Sequence, residues 1–441
     1  MPEGRRRAQL GLICSRRVRG HTARALDNLT HSLVGLLAAE VVIRTRERGK
    51  PGARSLNPWT RSAVYVLSIV GNNLPDVDFS YSRISGKTFG YLLQHRGYTH
   101  TVPAAILFAV LMMALALAFA KRQAHPIARR DWLLLAGVAL FSPLLHIAMD
   151  FGNNYGVHPF WPVYDGWFYG DSFFILEPSF WLVVIAPLAF SLRSKTIRVA
   201  LWVTLAAALA AVWYRPFVPR GHAIALSLFT LGSLVAARKM RPAARLLLSL
   251  VSFLGIVLAF VIGSRLAKAV VSQQASVQFP NAQILDVVAT PMPANPFCWS
   301  VILVERDAAT YFVRLGRAAT FPAWLDVDAC PYDRGSNPTT PLTPLAPRGG
   351  NRVRLSEQYQ AALGELQALN RDRCEARALL RFARVPYFTE RARDRTRVIG
   401  DVRYDRHPDL DFADFQLPAI QGGCPPYVPP WLPPRADLLP P

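Results

Sequence analysis

Between residues 29 and 263 apolar runs follow one another with only short polar breaks, a pattern that confines this part of the chain to a bilayer or to a core larger than such a length can enclose. Residues 101–120, 132–149, 173–192, 197–214, 222–237 and 245–263 are long or apolar enough to span. Residues 29–43 and 62–74 are shorter and read as tilted or partly buried, so eight membrane helices are expected. From residue 264 onward the chain has an ordinary mixture of polar and apolar positions. The expected fold is therefore an α-helical polytopic membrane domain followed by a smaller α+β soluble domain.

The net charge of +21 first suggests a nucleic-acid partner, but its location argues otherwise. Residues 1–263 hold 29 Lys and Arg against 11 Asp and Glu, whereas residues 264–441 hold 21 against 18. The surplus sits in short connections between apolar segments: six basic residues in 44–61, four in 121–130, three in 193–198 and four in 238–245. Residues 150–172 carry three aspartates and no Lys or Arg. Basic loops face the cytoplasm, so alternation puts the aspartate-rich loop and the soluble half outside. The partners this implies are the lipid bilayer and a lipid-like substrate, with no nucleic acid.

The tail at residues 1–25 has seven arginines and runs against this scheme. Either residues 29–43 do not span, or the native start lies near Leu26 and the tail is a misassigned extension. A signal peptide does not fit, because the apolar stretch at 10–14 is short and arginine follows at once.

Four cysteines, Cys298, Cys330, Cys374 and Cys424, fall in the soluble half. An extracytoplasmic location favours two disulfides, in any of three pairings. Residues 282–289, 299–305 and 310–315 alternate or are β-branched and read as strands, 355–383 as helix, 396–404 as a returning strand. The expected layout is a basic tail at 1–25, a membrane domain at 26–263, an α+β domain at 264–423 and a proline-rich tail at 424–441.

Five short elements carry chemistry: DNLTHS at 27–32, NLPDVD at 73–78, HRGYTH at 95–100, HIAMD at 146–150 and YGDSFFILEP at 169–178. In the topology above His31, Asp76, Asp78, His95, His100, His146 and Asp150 all fall at the outer ends of segments. His146 and Asp150 are one helical turn apart, so they share a face and can grip one ion. Buried carboxylates are costly without a cation, and imidazole with carboxylate suits zinc, manganese or iron. Seven such groups could serve two ions.

Each piece has a bland alternative. Asp76 and Asp78 after Pro75 suit a cap or turn, His95 or His100 alone suits an interface, and His146 with Asp150 suits a helix-stabilising pair. Their gathering on one face is what weighs against these. Glu177 before Pro178 reads first as a helix N-terminal carboxylate and second as a general base. The aromatic run Phe160, Trp161, Tyr164, Trp167, Phe168 and Tyr169 reads as an interfacial belt.

The motifs THSLVG, LPDVD, HRGYTHT, LHIAMDFGNNYG and GDSFFILEP resemble the YdjM-type family of inner-membrane-associated metal-dependent hydrolases, some described as LexA-binding. The resemblance covers about residues 27–178 in detail. It implies a bacterial inner-membrane location and a metal and catalytic centre formed by His31, Asp76, Asp78, His95, Arg96, His100, His146 and Asp150. Thr101 stands where many relatives have serine, and Glu177 where many have aspartate. The function implied is hydrolysis of a lipid-linked or other ester or phosphoester by a metal-activated water, zinc being the first choice of metal. Arg96 would stabilise a phosphate or oxyanion, so that its loss spares the metal and slows turnover. Competing readings are a cation transporter or channel, and a non-catalytic assembly or sensor protein.

Overall fold

In the computed structural model the described residues are 20–47, 56–123, 127–174, 176–214, 218–331, 340–348, 350–391, 394–408, 410, 412–417 and 424–439. Residues 1–19, most of the basic tail, lie outside them. The membrane half opens with α1 (Gly20–Glu47) and α2 (Pro58–Gly71). Two 3-10 turns, Leu74–Ser80 and Ser82–Ser85, lead to the short α3 (Gly86–Gln94), and a third, Tyr98–His100, leads to α4 (Val102–Arg122). Then come α5 (Arg129–Phe151), α6 (Pro178–Ser191), α7 (Lys195–Tyr214), α8 (Arg220–Lys239) and α9 (Pro242–Gln278).

Local chemistry explains the starts. Asn57 accepts from the Thr60 amide at 2.7 Å and Pro58 occupies the first turn of α2. Thr101 accepts from the Ala104 amide at 3.1 Å and so caps α4; a serine hydroxyl would do the same.

Five helices, α4, α5, α7, α8 and α9, are long and apolar enough to cross a membrane. The eight expected segments are all helical, but three differ in kind. The segment expected at 173–192 becomes the 14-residue α6, buried along almost its whole length. At 1.5 Å per residue it reaches about 21 Å, short of a hydrocarbon core of about 30 Å, and its neighbours cover its ends. Similarly α2 has 14 residues, and α1, though long, is less apolar. By contrast α4 turns Leu107, Val110 and Leu115 outward, each more than half exposed, as a lipid-facing surface requires.

The helix that contains 245–263 does not stop there: α9 runs on to Gln278 and buries Ala267, Val271 and Ala275 against Trp299 and Val301. A single rigid helix thus joins the membrane half to the sheet.

That sheet has five antiparallel strands in the order β1 (Gln283–Met292), β2 (Asn295–Arg306), β3 (Thr310–Ala319), β5 (Val353–Ala362) and β4 (Thr343–Arg348). The first three match expectation. Residues 355–362, read as helix, form most of β5; α10 (Leu363–Asp372) and α11 (Cys374–Leu380) take only the rest. Pairing with β3, Tyr311 opposite Ala361 and Val313 opposite Tyr359, overrides a local sequence that favours neither state strongly. A second sheet holds β6 (Pro386–Glu390), β7 (Arg397–Asp401) and β8 (Asp414–Leu417), with β7 inside the expected strand.

Both disulfides form, Cys298 with Cys330 and Cys374 with Cys424, at Cα separations of 5.5 and 5.4 Å. Nor is the proline-rich segment a loose tail. Trp431 is fully buried, stacks on His158 at 3.9 Å and donates its indole N–H to the Leu93 carbonyl at 2.9 Å.

Candidate metal centre

Four elements aim side chains at one point. His31 comes from α1, Asp76 and Asp78 from the turn after α2, His95 to His100 from the link between α3 and α4, and His146 and Asp150 from the end of α5. Asp150 lies 21 residues into α5, about 31 Å along an axis that starts at Arg129 and Arg130, so the cluster sits near the far edge of the bilayer.

Nε2 of His100 and Nε2 of His146 are 3.1 Å apart. Asp150 Oδ2 is 3.1 Å from the first and 3.2 Å from the second, and Asp76 Oδ1 is 3.6 Å from each. Metal bonds of about 2.0–2.1 Å in a tetrahedron put neighbouring ligand atoms about 3.3 Å apart. These four donors therefore fit one divalent ion, and all are buried.

The ring orientations agree. His146 Nδ1 lies 2.9 Å from the Asn72 carbonyl, which accepts a proton there and leaves Nε2 as the inward lone pair. His100 Nδ1 lies 3.3 Å from Asp78 Oδ2, a carboxylate behind a histidine. Burial would raise the Asp78 pKa, but His95 and His100 outweigh it and hold the carboxyl at about 2. Burial likewise disfavours a charged His100, yet Asp150, Asp76 and Asp78 raise its pKa well above the ordinary value. A proton is thus attracted to the place where the cation fits.

Asp78 and His95 stand one step away. Asp78 accepts from the Arg96 amide at 2.8 Å and meets His95 Nδ1 at 3.2 Å. Asp76, Asp78 and His95 form a second group of possible donors that shares Asp76 with the first. His31 stacks on His146 at 3.9 Å between ring centres and brings Nε2 to 3.3 Å from Asp150 Oδ1.

The two residues expected to be catalytic both lie beside the cluster. Arg96 is fully buried and places Nη2 2.9 Å from Asp150 Oδ1 and Nη1 2.6 Å from Asn153 Oδ1. It stands beside Asp150, so its loss would remove that carboxylate's cationic neighbour. Glu177 accepts from the Ser179 amide and the Ala294 amide, each at 3.0 Å, and so ties the start of α6 to the β1–β2 turn. The same carboxylate lines the cavity beside the cluster, and burial raises its pKa to about 7.

Sequence reasoning missed Asn72 and Asn153. Asn72 also donates its side-chain amide to the His31 carbonyl at 2.5 Å. Asn153 lies inside FGNNYG, yet nothing in the letters reveals that it faces Arg96. The aromatic run divides: Phe160 and Tyr164 are half exposed, as a belt requires, while Trp167 donates to the Arg381 carbonyl and Tyr169 lies under Arg384.

Beside the cluster lies a cavity of about 240 Å³. His31, Asp150, Asn153 and Glu177 form its polar side; Leu145, Met149, Phe180, Phe253, Leu254 and Val257 are among its apolar walls.

The protein is similar to one described as uncharacterised protein YfhP from Bacillus subtilis (strain 168), at 25% identity over 142 residues, 32% of this chain and 39% of that protein. The match thus spans well under half of the relative's length. No solved structure matches. Over residues 26–220, which hold the whole cluster, the chain matches the family described as YdjM inner membrane protein.

Proposed function

We propose that the protein is a membrane-embedded, metal-dependent hydrolase of an ester or phosphoester, with His100, His146, Asp76 and Asp150 as ligands of a zinc ion. The observation that carries this reading is the set of four buried donors all within 4.8 Å of one another, two of whose neighbours, His31 and Asn153, line a cavity. When bound, the cation supplies Lewis acidity that makes water a nucleophile near neutral pH.

The chain's own residues supply the rest. Asp78 orients the His100 ring, and Arg96 with Asn153 orients Asp150. His31, beside Asp150 and on the cavity wall, is placed to accept a proton from the attacking water and return it to the leaving oxygen. Four donors fill a tetrahedron, so an open position needs a fifth site or a second ion. The Asp76–Asp78–His95 group, sharing Asp76, supports two ions. The disulfides and basic loops support a periplasmic C-terminal half.

Purified protein loaded with zinc or manganese is assayed on phospholipids and lipid-linked phosphates. Cleavage that vanishes together with bound metal in His146→Ala supports the proposal. Metal-loaded protein that cleaves nothing, while proteoliposomes carry an ion current abolished by the same change, identifies a transporter instead.

A further inference from the structure

The cavity beside the metal cluster is lined largely by apolar side chains of the membrane half. Leu145, Ala148 and Met149 of α5 and Phe253, Leu254 and Val257 of α9 are among its lining residues, and both helices are long and apolar enough to span. Leu254 is 53% exposed there and Ala148 is exposed as well. Leu254 and Val257 lie 12 and 15 residues into α9, about 18 and 22 Å from a start flanked by Arg241, and Leu145 lies about 24 Å into α5. In a hydrocarbon core of about 30 Å these depths are inside the bilayer, near the face that holds the cluster. The lining divides into polar groups, Thr30, His31, Asp150, Asn153 and Glu177, and a larger set of aliphatic and aromatic ones.

That division fits an amphiphile at the junction between head and chain. At about 240 Å³ the cavity is smaller than the roughly 300–1,000 Å³ that encloses a whole small-molecule ligand. It holds one segment, and the remainder stays in the bilayer. We infer that the gap between α5 and α9 is a lateral portal through which a lipid inserts the head-proximal part of an aliphatic chain, setting an ester or phosphoester against His31 and Asp150. This rests on the hydrolase reading for what happens to the bond, but not for the binding itself. Phe180 and Phe253 pack at 5.3 Å between ring centres at the cavity wall, and the chain would run past them toward Leu254.

The test uses the full chain in nanodiscs of phosphatidylethanolamine and phosphatidylglycerol with a trace of phosphatidic acid carrying a diazirine. One probe has the diazirine near the carbonyl end of the acyl chain, another at its methyl end. The carbonyl-proximal probe should label peptides containing Leu145, Met149, Leu254 and Val257 at least about fivefold more than the methyl-end probe does. Val257→Trp, which fills the cavity, and Ala148→Phe, which crowds its mouth, should each remove that excess without changing bound metal; Leu115→Trp on the lipid face of α4 should leave it intact. Equal labelling by the two probes, or an excess that survives both portal changes, overturns the portal. Portal labelling with no cleavage of any lipid upholds the portal and rejects the hydrolase. Lipid cleavage unaffected by both portal variants does the reverse.

Discussion

Asp78→Asn separates a ligand from a residue that aims one. The carboxylate is fully buried and meets four groups: the Arg96 amide at 2.8 Å, His95 Nδ1 at 3.2 Å, His100 Nδ1 at 3.3 Å and the Thr99 hydroxyl at 3.4 Å. Asparagine keeps the shape and one acceptor, which the Arg96 amide retains. The other position, which faces His95 Nδ1, becomes an NH2, and the acceptor kept at the Arg96 amide still faces His100 Nδ1 but without the carboxylate charge that strengthens that ring as a ligand. Loss of an outer partner of this kind costs about 10–100-fold in metal affinity, or about 1.4–2.7 kcal/mol. Removing a donor, as in Asp76→Ala, should cost far more and leave no stable complex. Competition with a chromophoric chelator, on detergent-purified wild type, Asp78→Asn and Asp76→Ala, reads both affinities at once. If Asp78→Asn loses zinc as completely as Asp76→Ala, Asp78 is itself a ligand and the division of roles drawn from the distances is wrong.

Other outcomes follow from the C-terminal half and its docking. His158, buried between Trp167 and Trp431, has its pKa pushed down by burial to about 3. The unfolded chain therefore binds more protons between about pH 3 and 6.5, so this residue's contribution is full above pH 6.5 and falls by up to about 1.4 kcal/mol per unit below it; in thermal melts His158→Phe should flatten that slope, and an unchanged slope refutes the assignment. Breaking the Cys374–Cys424 bridge, which spans 50 residues, should destabilise the fold by about 4 kcal/mol on the loop-entropy account and raise hydrogen exchange around Trp431; unaltered exchange would show that packing alone holds the arm. Arg384 meets Asp171 at 2.8 and 2.9 Å and Asp286 at 2.7 and 3.0 Å, joining the loop after α5 to β1. Arg384→Met leaves the buried Asp171 and the partly buried Asp286 to Lys268 and Arg435, so about 3 kcal/mol of docking stability should be lost, seen as faster exchange in β1; no change there would mean the network is dispensable.

Much of this protein is written in one dimension. Hydrophobic runs separated by basic loops announce membrane helices because a bilayer leaves no other way to satisfy the backbone, and the count of cysteines after the last run announces two bridges. The residues of the centre are also visible, since histidine and aspartate recur at segment ends where bare apolar helices have no use for them. What the letters could not decide is which of these seven groups touch a common point. Asp76 and Asp78 differ by two positions in a 3-10 turn, and only the packing of that turn against α5 turns one toward Nε2 of His100 and His146 and the other behind the ring. Arg96 looks like an oxyanion donor in sequence, and its position behind Asp150 comes from a backbone φ of 60° that swings it inward. The strand at 353–362 and the burial of Trp431 depend on partners 40 and more than 300 residues away, β3 in one case and Leu93 in the other. Local preference reaches only a few residues along the chain, whereas ligand geometry and strand pairing are set by groups that meet only once the helices have packed.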